Sequence, residues 1–254
     1  MKLTVLGSGT TVPHPTRTSS GFWLETSSGT LLLDCSPTAA RRMAEENLPW
    51  HELDAIWISH FHIDHCGGLM SLLAGTKHAE ATRSRTKPLK IFGPLGLQGL
   101  IERMDAVNNY KLTEQPFPIE VIEVEPLDNF SILPGIEAVA AKTPHTDESL
   151  AILIRDGEST LLFSADTGLD TSLAAFANGV DLFILECSFF ANKPIEKHLE
   201  LAEAVHLIRR AKPKRAMLTH FYPEWDDVDF AAEVKRLEPL CEVIEASDGL
   251  KLTV

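Results

Sequence analysis

Residues 59–68 read SHFHIDHCGG, a polar run that directly follows the apolar segment DAIWI at 54–58. The apolar segment predicts a β-strand, so the polar run begins where that strand ends. The run carries three imidazoles and a carboxylate within six positions, namely His60, His62, Asp64 and His65. Such side chains hold zinc and similar divalent ions in catalytic sites. Four of them exceed the three protein ligands of one open catalytic ion, so the run predicts two adjacent metals, with a one-metal site as the alternative.

Length and composition are those of an ordinary globular chain. The 254 residues are 44% hydrophobic and 23% charged, enough to bury a core without disulfides. The four cysteines lie far apart and mostly among apolar residues, which predicts reduced thiols and a cytoplasmic setting. The N-terminus lacks a signal-peptide core, and no apolar stretch approaches the roughly 20 residues of a membrane span. We therefore expect no membrane association.

The charge balance is acidic, with 23 basic against 36 acidic residues and a net charge of −13. Such a chain repels polyanions at long range and lacks the broad basic surface of a nucleic-acid-binding protein. Long RNA or DNA is therefore a disfavoured substrate unless a local patch compensates.

Secondary-structure patterns alternate between strands and helices along the whole chain. Short apolar runs predict strands at 3–6, 21–24, 30–33, 55–59, 89–92, 119–124, 136–140, 151–154, 160–163, 182–185, 216–219, 242–245 and 250–254. Helical patterns occur at 37–47, 95–106, 170–178, 198–211 and 228–238. The polar stretch 75–88 predicts a surface loop. This order favours one α+β domain over residues 1–254, with two packed mixed sheets flanked by helices.

The H-x-H-x-D-H pattern after an apolar strand resembles the signature of the metallo-β-lactamase superfamily. Further motifs of that family follow in the same order: TPH at 143–145, FSADTG at 163–168 and LTHF at 218–221. The resemblance runs from Gly7 to His220. It implies the metallo-β-lactamase fold, an αββα four-layer sandwich of two mixed β-sheets flanked by helices, with all these strand ends at one edge.

The resemblance also implies a ligand set. One metal ion would take His60, His62 and His145, the other would take Asp64, His65 and His220, and Asp166 would bridge them. Mixed nitrogen and oxygen ligands favour Zn²⁺ and also admit Mn²⁺ or Fe²⁺. Taken singly, Asp166 could instead cap a helix and His145 could be a plain loop residue. Each imidazole needs an outer hydrogen-bond partner, for which Asp54, Glu186 and backbone carbonyls are candidates.

Within the superfamily, several motifs resemble ribonuclease Z and its phosphodiesterase relatives. They are LGSGTTVP at 6–13, RTSSG at 17–21 and LECSF at 185–189, the last similar to an E-A-T-F element. His198 falls where that branch carries an H-x-T histidine. The resemblance implies that His198 assists the scissile phosphate, that Glu186 orients His198, and that Asp64 is both a ligand and a proton acceptor. The alternative for His198 is an exposed residue at a helix start.

Departures from ribonuclease Z narrow the expected substrate. Glu200 replaces the threonine of H-x-T, HFYPEW at 220–225 replaces H-F-S-x-R-Y, and RDGES at 155–159 is a tight turn where ribonuclease Z carries a long basic arm. We therefore expect a dinuclear metal-dependent hydrolase that cleaves small or cyclic phosphodiesters, nucleotides included, with a metal-bridging hydroxide as nucleophile.

Other functions remain open at this point. They are a ribonuclease Z-type tRNA 3′ endonuclease, a lactone or thioester hydrolase, and a metal-binding regulatory or scaffold protein without turnover. Members of the family that lose catalysis usually lose ligands, whereas all seven candidate ligands are present, which favours an enzyme. Apolar positions at 67–74 could contribute to a homodimer.

Overall fold

Fourteen β-strands form the centre of the computed structural model, which describes residues 1–254. The strands are β1 (Lys2–Gly7), β2 (Gly21–Glu25), β3 (Thr30–Leu33), β4 (Ala55–Trp57), β5 (Leu89–Pro94), β6 (Ile119–Val124), β7 (Asn129–Leu133), β8 (Ile136–Lys142), β9 (Leu150–Asp156), β10 (Ser159–Phe163), β11 (Leu182–Glu186), β12 (Arg215–Thr219), β13 (Glu242–Glu245) and β14 (Lys251–Thr253). They make two seven-stranded sheets, ordered β14-β1-β2-β3-β4-β5-β6 and β13-β12-β11-β10-β9-β8-β7. Both sheets mix parallel and antiparallel pairs.

Seven α-helices accompany the sheets. They are α1 (Ala39–Glu45), α2 (Ile63–Cys66), α3 (Leu69–His78), α4 (Leu97–Ala106), α5 (Thr171–Phe176), α6 (Leu201–Ala211) and α7 (Phe230–Arg236). Short 3-10 helices lie at Trp50–Glu52, Glu80–Thr82 and Pro223–Asp227. No helix combines the length and the apolar character needed to cross a membrane.

The two sheets pack face to face, and each sheet is covered by helices on its other face. Between the sheets, the ring of Phe22 on β2 meets the ring of Phe163 on β10 edge-on, with centroids 5.4 Å apart. The neighbouring residue on β2, Trp23, points the opposite way, into a second apolar cluster that also contains Met43 of α1 and Leu73 of α3. Both faces of β2 are therefore buried, as a four-layer arrangement requires. The predicted αββα sandwich is confirmed.

Parallel pairing brings the ends of several strands to one edge. Leu33 at the end of β3 lies opposite Trp57 at the end of β4. In the second sheet, Phe163 pairs with Ile184, and Glu186 pairs with Thr219. The segments that follow β4, β10, β11 and β12 therefore leave the sheets close together, and these segments carry the predicted site residues.

Three strands or α-helices were not predicted from the sequence, and the loop predicted at 75–88 is wrong in its first part. Strand β7 and the short helix α2 were missed, and the missed helix α3 runs to His78 through Gly75. The rest of the segment is tied to the fold by the buried guanidinium of Arg85, which donates to four backbone carbonyls, those of His51, Leu53, Lys87 and Pro88. The polar composition of this segment predicted an exposed loop, and it gave no sign that the side chain of Arg85 is buried.

Candidate metal centre

The structure brings all seven predicted ligand side chains to one edge of the sandwich. The loop after β4 supplies His60 and His62, and α2 adds Asp64 and His65. The remaining three follow the ends of β8, β10 and β12, and they are His145, Asp166 and His220. All are buried except His62. Segments that follow strand ends thus gather these polar side chains at one place.

A first group contains His60, His62, His145 and Asp166, whose candidate ligand atoms all lie within 4.8 Å of one another. His145 Nε2 and His62 Nδ1 are 3.0 Å apart. Asp166 Oδ2 lies 3.5 Å from His145 Nε2 and 3.8 Å from His60 Nε2. Three ring nitrogens and one carboxylate oxygen therefore converge on a single point.

A second group contains Asp64, His65 and His220, again within 4.8 Å. Asp64 Oδ2 lies 3.5 Å from His220 Nε2 and 3.7 Å from His65 Nε2. The other oxygen of Asp166, Oδ1, lies 3.3 Å from His65 Nε2 and 3.4 Å from His220 Nε2. Asp166 thus presents one carboxylate oxygen to each group.

Three ring nitrogens that point into this cluster have no hydrogen-bond partner although they are buried: His60 Nε2, His65 Nε2 and His220 Nε2. A buried polar atom without a partner costs free energy, so native structures rarely leave three together. Divalent cations that accept their lone pairs would remove that cost. The residues present therefore fit a divalent metal centre.

The electrostatics of the cluster favour anionic carboxylates. Burial alone would raise the pKa of Asp166, but the nearby His220 and His65 hold it well below its usual range. Burial would likewise raise the pKa of Asp64, yet the same two imidazoles lower it. The pKa of His60 is lowered well below its ordinary value, by burial first and by the charge of His65 second. Ionised carboxylates and a neutral imidazole are the forms that bind metal.

The outer hydrogen bonds of the cluster include a residue that the sequence analysis missed. His65 Nδ1 lies 2.6 Å from Asp34 Oδ2, and Asp34 accepts from both the backbone N–H and the hydroxyl of Ser59, each at 2.8 Å. Asp34 is fully buried and follows directly on β3. The sequence signal that could have identified Asp34 is its place directly after an apolar strand, where an acidic residue is close to the other strand ends.

The predicted outer partners have different outcomes. A backbone carbonyl does serve, since His145 Nδ1 lies 3.0 Å from the carbonyl oxygen of Lys197. The prediction that Asp54 is an outer partner of a ligand imidazole is wrong. Its carboxylate accepts hydrogen bonds from Thr30 and forms an ion pair with Lys87, away from the cluster. Asp54 precedes the strand β4 whereas the ligands follow it, so it lies at the opposite end of that strand.

Glu186 and His198 form a buried pair beside the second group. His198 Nδ1 lies 2.8 Å from Glu186 Oε1, and the backbone N–H groups of Thr167 and Leu199 also donate to that carboxylate. Burial would lower the pKa of His198, but the hydrogen bond and charge of Glu186 raise it above its usual value. His198 is only 7% exposed, so the alternative interpretation, that it is an exposed residue at a helix start, is wrong.

A pocket of about 310 Å³ opens onto the cluster. Besides ligand candidates and His198, it is lined by Thr11, Ile63 and Tyr222. The Tyr222 ring stacks on Phe189 with centroids 4.7 Å apart, and Ile63 is 65% exposed at the mouth. Small pockets that combine a polar floor with an apolar rim are typical of small-molecule sites.

Comparison with known proteins defines the class. Residues 30–221 match the sequence model of the beta-lactamase superfamily domain, so the chain belongs to that superfamily. Two of the relatives that align with most of the chain illustrate the similarity. A ribonuclease Z of Clostridioides difficile is 26% identical, over 88% of this chain and 89% of the relative. The protein YhfI of Bacillus subtilis is 26% identical, over 87% of this chain and 86% of the relative.

Solved structures share the fold. The crystal structure of YhfI, a metallo-beta-lactamase fold protein from Bacillus subtilis, superimposes with a TM-score of 0.81 at 24% identity, covering 99% of each chain. A diphosphatase of the PhnP family superimposes with a TM-score of 0.75 at 20% identity, covering 100% of this chain and 97% of that one. The predicted superfamily, its ribonuclease Z-like branch and the class of metal-dependent hydrolase are thereby confirmed.

Proposed function

We propose that this hydrolase is a dinuclear metal-dependent phosphodiesterase that acts on small or cyclic phosphodiesters, nucleotides included. The observation that carries the proposal is the placement of Asp166, with Oδ2 toward His145 and Oδ1 toward His65, at 3.5 and 3.3 Å. A carboxylate that faces two separate ligand groups suits two adjacent cations better than one.

Each group would hold one ion. His60, His62 and His145 would bind the first, Asp64, His65 and His220 would bind the second, and Asp166 would be shared. The nitrogen-rich set favours Zn²⁺, with Mn²⁺ and Fe²⁺ as the other candidates. When bound, two such ions lower the pKa of a water molecule toward neutrality and stabilise the negative charge that develops on phosphoryl oxygens.

His198 and Asp64 would assist the proton transfers of the reaction. The Nδ1 atom of His198 is engaged by Glu186 at 2.8 Å, which leaves Nε2 for the pocket that the ring lines. With its pKa raised by Glu186, the ring is suited to donate a hydrogen bond or proton to a phosphate oxygen or to the departing oxygen. Asp64, an anion at the pocket surface, would orient the attacking water.

The pocket supports a small substrate. Its volume of about 310 Å³ suits a mononucleotide-sized ligand better than a folded RNA. Strands β9 and β10 are joined by a tight hairpin in which Asp156 pairs with Ser159. The family resemblance implies that the basic arm of ribonuclease Z would lie at this position. The net charge of −13 adds long-range repulsion of polyanions.

Transfer-RNA 3′ processing is the second candidate. The observation that favours it is the 26% identity to a ribonuclease Z over 88% of this chain. The remaining alternatives, a lactone or thioester hydrolase and a non-catalytic metal-binding scaffold, have no comparable observation in their favour. The proposed setting is cytoplasmic and reducing, which is supported by four free cysteines, three of them buried. A homodimer remains part of the proposal. The loop at 67–74 that was expected to contribute to it is a wrong prediction, because the segment lies mostly on α3 and its Leu69, Leu72 and Leu73 are buried in the core.

A panel of substrates tests the proposal. Purified protein reconstituted with Zn²⁺ or Mn²⁺ would be given bis(p-nitrophenyl) phosphate, a nucleoside 2′,3′-cyclic phosphate, p-nitrophenyl phosphate, a precursor tRNA, a lactone and a thioester. We expect turnover of the two diesters and little of the others. Cleavage of the precursor tRNA at a higher kcat/KM than the small diesters would favour the second candidate instead.

A further inference from the structure

The hydroxyl of Ser188 lies between the candidate metal ligand His220 and the Glu186–His198 pair. Ser188 Oγ is 2.7 Å from Glu186 Oε2, 2.9 Å from His220 Nδ1 and 3.2 Å from His198 Nδ1. Ser188 is fully buried. One small side chain thus contacts both parts of the site.

The directions of these hydrogen bonds follow from the inventory of donors. A hydroxyl has one proton to donate and lone pairs to accept, whereas an ionised carboxylate only accepts. The shortest contact of Ser188 is to the Glu186 carboxylate, and an O–H···O⁻ bond is stronger than one to a neutral nitrogen. Ser188 therefore donates to Glu186 and accepts from the Nδ1–H of His220.

That direction fixes the state of the His220 ring. A proton on Nδ1 leaves the lone pair on Nε2, the atom that is buried without a partner and points into the cluster. The opposite tautomer would put a proton where the lone pair is needed. Because neutral imidazole can carry its proton on either nitrogen, the partner of the outer nitrogen decides which form is present.

The surrounding backbone holds Ser188 firmly in place. Its N–H donates to Glu186 Oε2 at 3.2 Å, and its carbonyl accepts from the N–H of Tyr222 at 3.2 Å. His220 itself has a φ of +63°, a left-handed backbone conformation that residues other than glycine rarely adopt. Ser188, held in this way, provides the contact at Nδ1 of the His220 ring.

We propose that Ser188 is a positioning residue, which sets the tautomer and orientation of His220 for metal binding and joins this ligand to the Glu186–His198 pair. The inference rests on the proposed function, because it needs His220 to be a ligand. It extends the predicted role of Glu186, which anchors His220 through Ser188 as well as orienting His198. Threonine would carry the same hydroxyl, whereas alanine would remove it.

The test compares Ser188→Ala with the conservative Ser188→Thr and with Ser188→Cys, which keeps the shape of the side chain with a somewhat larger atom but is a poor hydrogen-bond partner. Metal affinity is measured by competition of each full-length protein with a chromophoric chelator for Zn²⁺. Loss of an outer partner lowers metal affinity about 10–100-fold. We therefore expect Ser188→Ala and Ser188→Cys to bind one of the two Zn²⁺ ions that much more weakly, and Ser188→Thr to bind it about as tightly as the wild type. The ¹⁵N shifts of His220 should report a proton on Nδ1 in the wild type and a mixture of tautomers in Ser188→Ala.

The outcomes separate this inference from the proposed function. If the wild type binds two ions and both Ser188→Ala and Ser188→Cys bind them as tightly, the positioning role is wrong and the metal centre stands. If the wild type binds no Zn²⁺, the metal centre and the positioning role fail together. Should Ser188→Ala not fold, the Ser188→Cys and Ser188→Thr pair carries the same comparison.

Discussion

The imidazole of His65 is held by Asp34, with Nδ1 of the ring 2.6 Å from Oδ2 of the carboxylate. Asp34 has a φ of +60°, in the left-handed region, and its other contacts fasten it to Ser59 at the start of the histidine loop. One buried carboxylate therefore ties the end of β3 to the loop that follows β4. The contact fixes the Nδ1 proton of His65 and leaves Nε2 facing the cluster.

Asp34→Ala should weaken metal binding without removing a ligand. The expected loss is about 10–100-fold in affinity for Zn²⁺, the usual effect of deleting an outer partner. Chelator competition measures it. Asp54→Ala is the matched control, because that carboxylate bonds to Thr30 and Lys87 away from the cluster and its loss should leave the affinity unchanged. Equal affinities for the wild type and Asp34→Ala would contradict the role given to Asp34.

Asp166→Ala should disturb both ligand groups at once. Since one of its oxygens faces each group, we expect the bound metal to fall below two ions per chain and kcat to fall more than about 100-fold, beyond the effect of an outer partner. Metal analysis of the dialysed protein beside a steady-state assay would check both. Two retained ions with unchanged kcat would show that Asp166 is not shared.

His198→Ala should separate catalysis from metal binding. His198 contacts Glu186, so its removal should leave two bound ions while kcat falls about 10²–10⁴-fold, the range for a lost proton donor. Glu186→Gln should lower kcat less, because the ring remains and loses only its ionic partner. A variant that keeps its kcat, or that loses its metal together with activity, would count against a catalytic role for His198.

Much of this arrangement could be predicted from the sequence because the ligands follow apolar strands. The run at 59–68 and the motifs around His145, Asp166 and His220 each follow a predicted strand. In the second sheet, parallel pairing aligns the ends of β10, β11 and β12, and two antiparallel pairings, β10 with β9 and β9 with β8, bring the end of β8 to the same edge. Local chemistry predicted the metal-binding character of the run at 59–68, whereas the full ligand set and its gathering at one edge were implied by the family resemblance.

The outer partners were harder to predict because they depend on distances between separate elements. Asp34 and Ser188 lie 31 and 32 positions from the rings they contact, and nothing local marks them as partners. Helix α3 was missed although Leu69, Leu72, Leu73 and Thr76 recur at helical spacing, because Gly75 and the polar residues after it suggest a loop. Burial of Leu69, Leu72, Leu73 and Thr76 against the core outweighed that local preference.

Arg85→Ala should destabilise the fold without touching the site. Its buried guanidinium donates to four carbonyls and lies over the ring of Phe117, with 4.5 Å from Cζ to the centroid. Hydrogen bonds to a charged group are worth about 1.5–3 kcal/mol, so we expect a loss of at least ~2 kcal/mol in the free energy of unfolding. Urea denaturation measures this loss, and a loss near zero would mean that 79–88 is not anchored by Arg85.

Arg83→Ala is the control for that measurement. Its side chain is 73% exposed and pairs only with Glu80 on the surface. Exposed ion pairs contribute about 0–1 kcal/mol, so the stability of this variant should stay close to that of the wild type. A similar loss in both variants would indicate a general effect of removing charge from the segment.

The most direct test of the central claim is metal-dependent hydrolysis of bis(p-nitrophenyl) phosphate, followed as metal-free protein is titrated with Zn²⁺ or Mn²⁺. Asp64→Ala, prepared in the same way, is the control. We expect turnover to rise to a plateau at two ions per chain and to be lost in the control. Absence of turnover with both sites filled, or equal turnover by Asp64→Ala, would contradict a dinuclear phosphodiesterase.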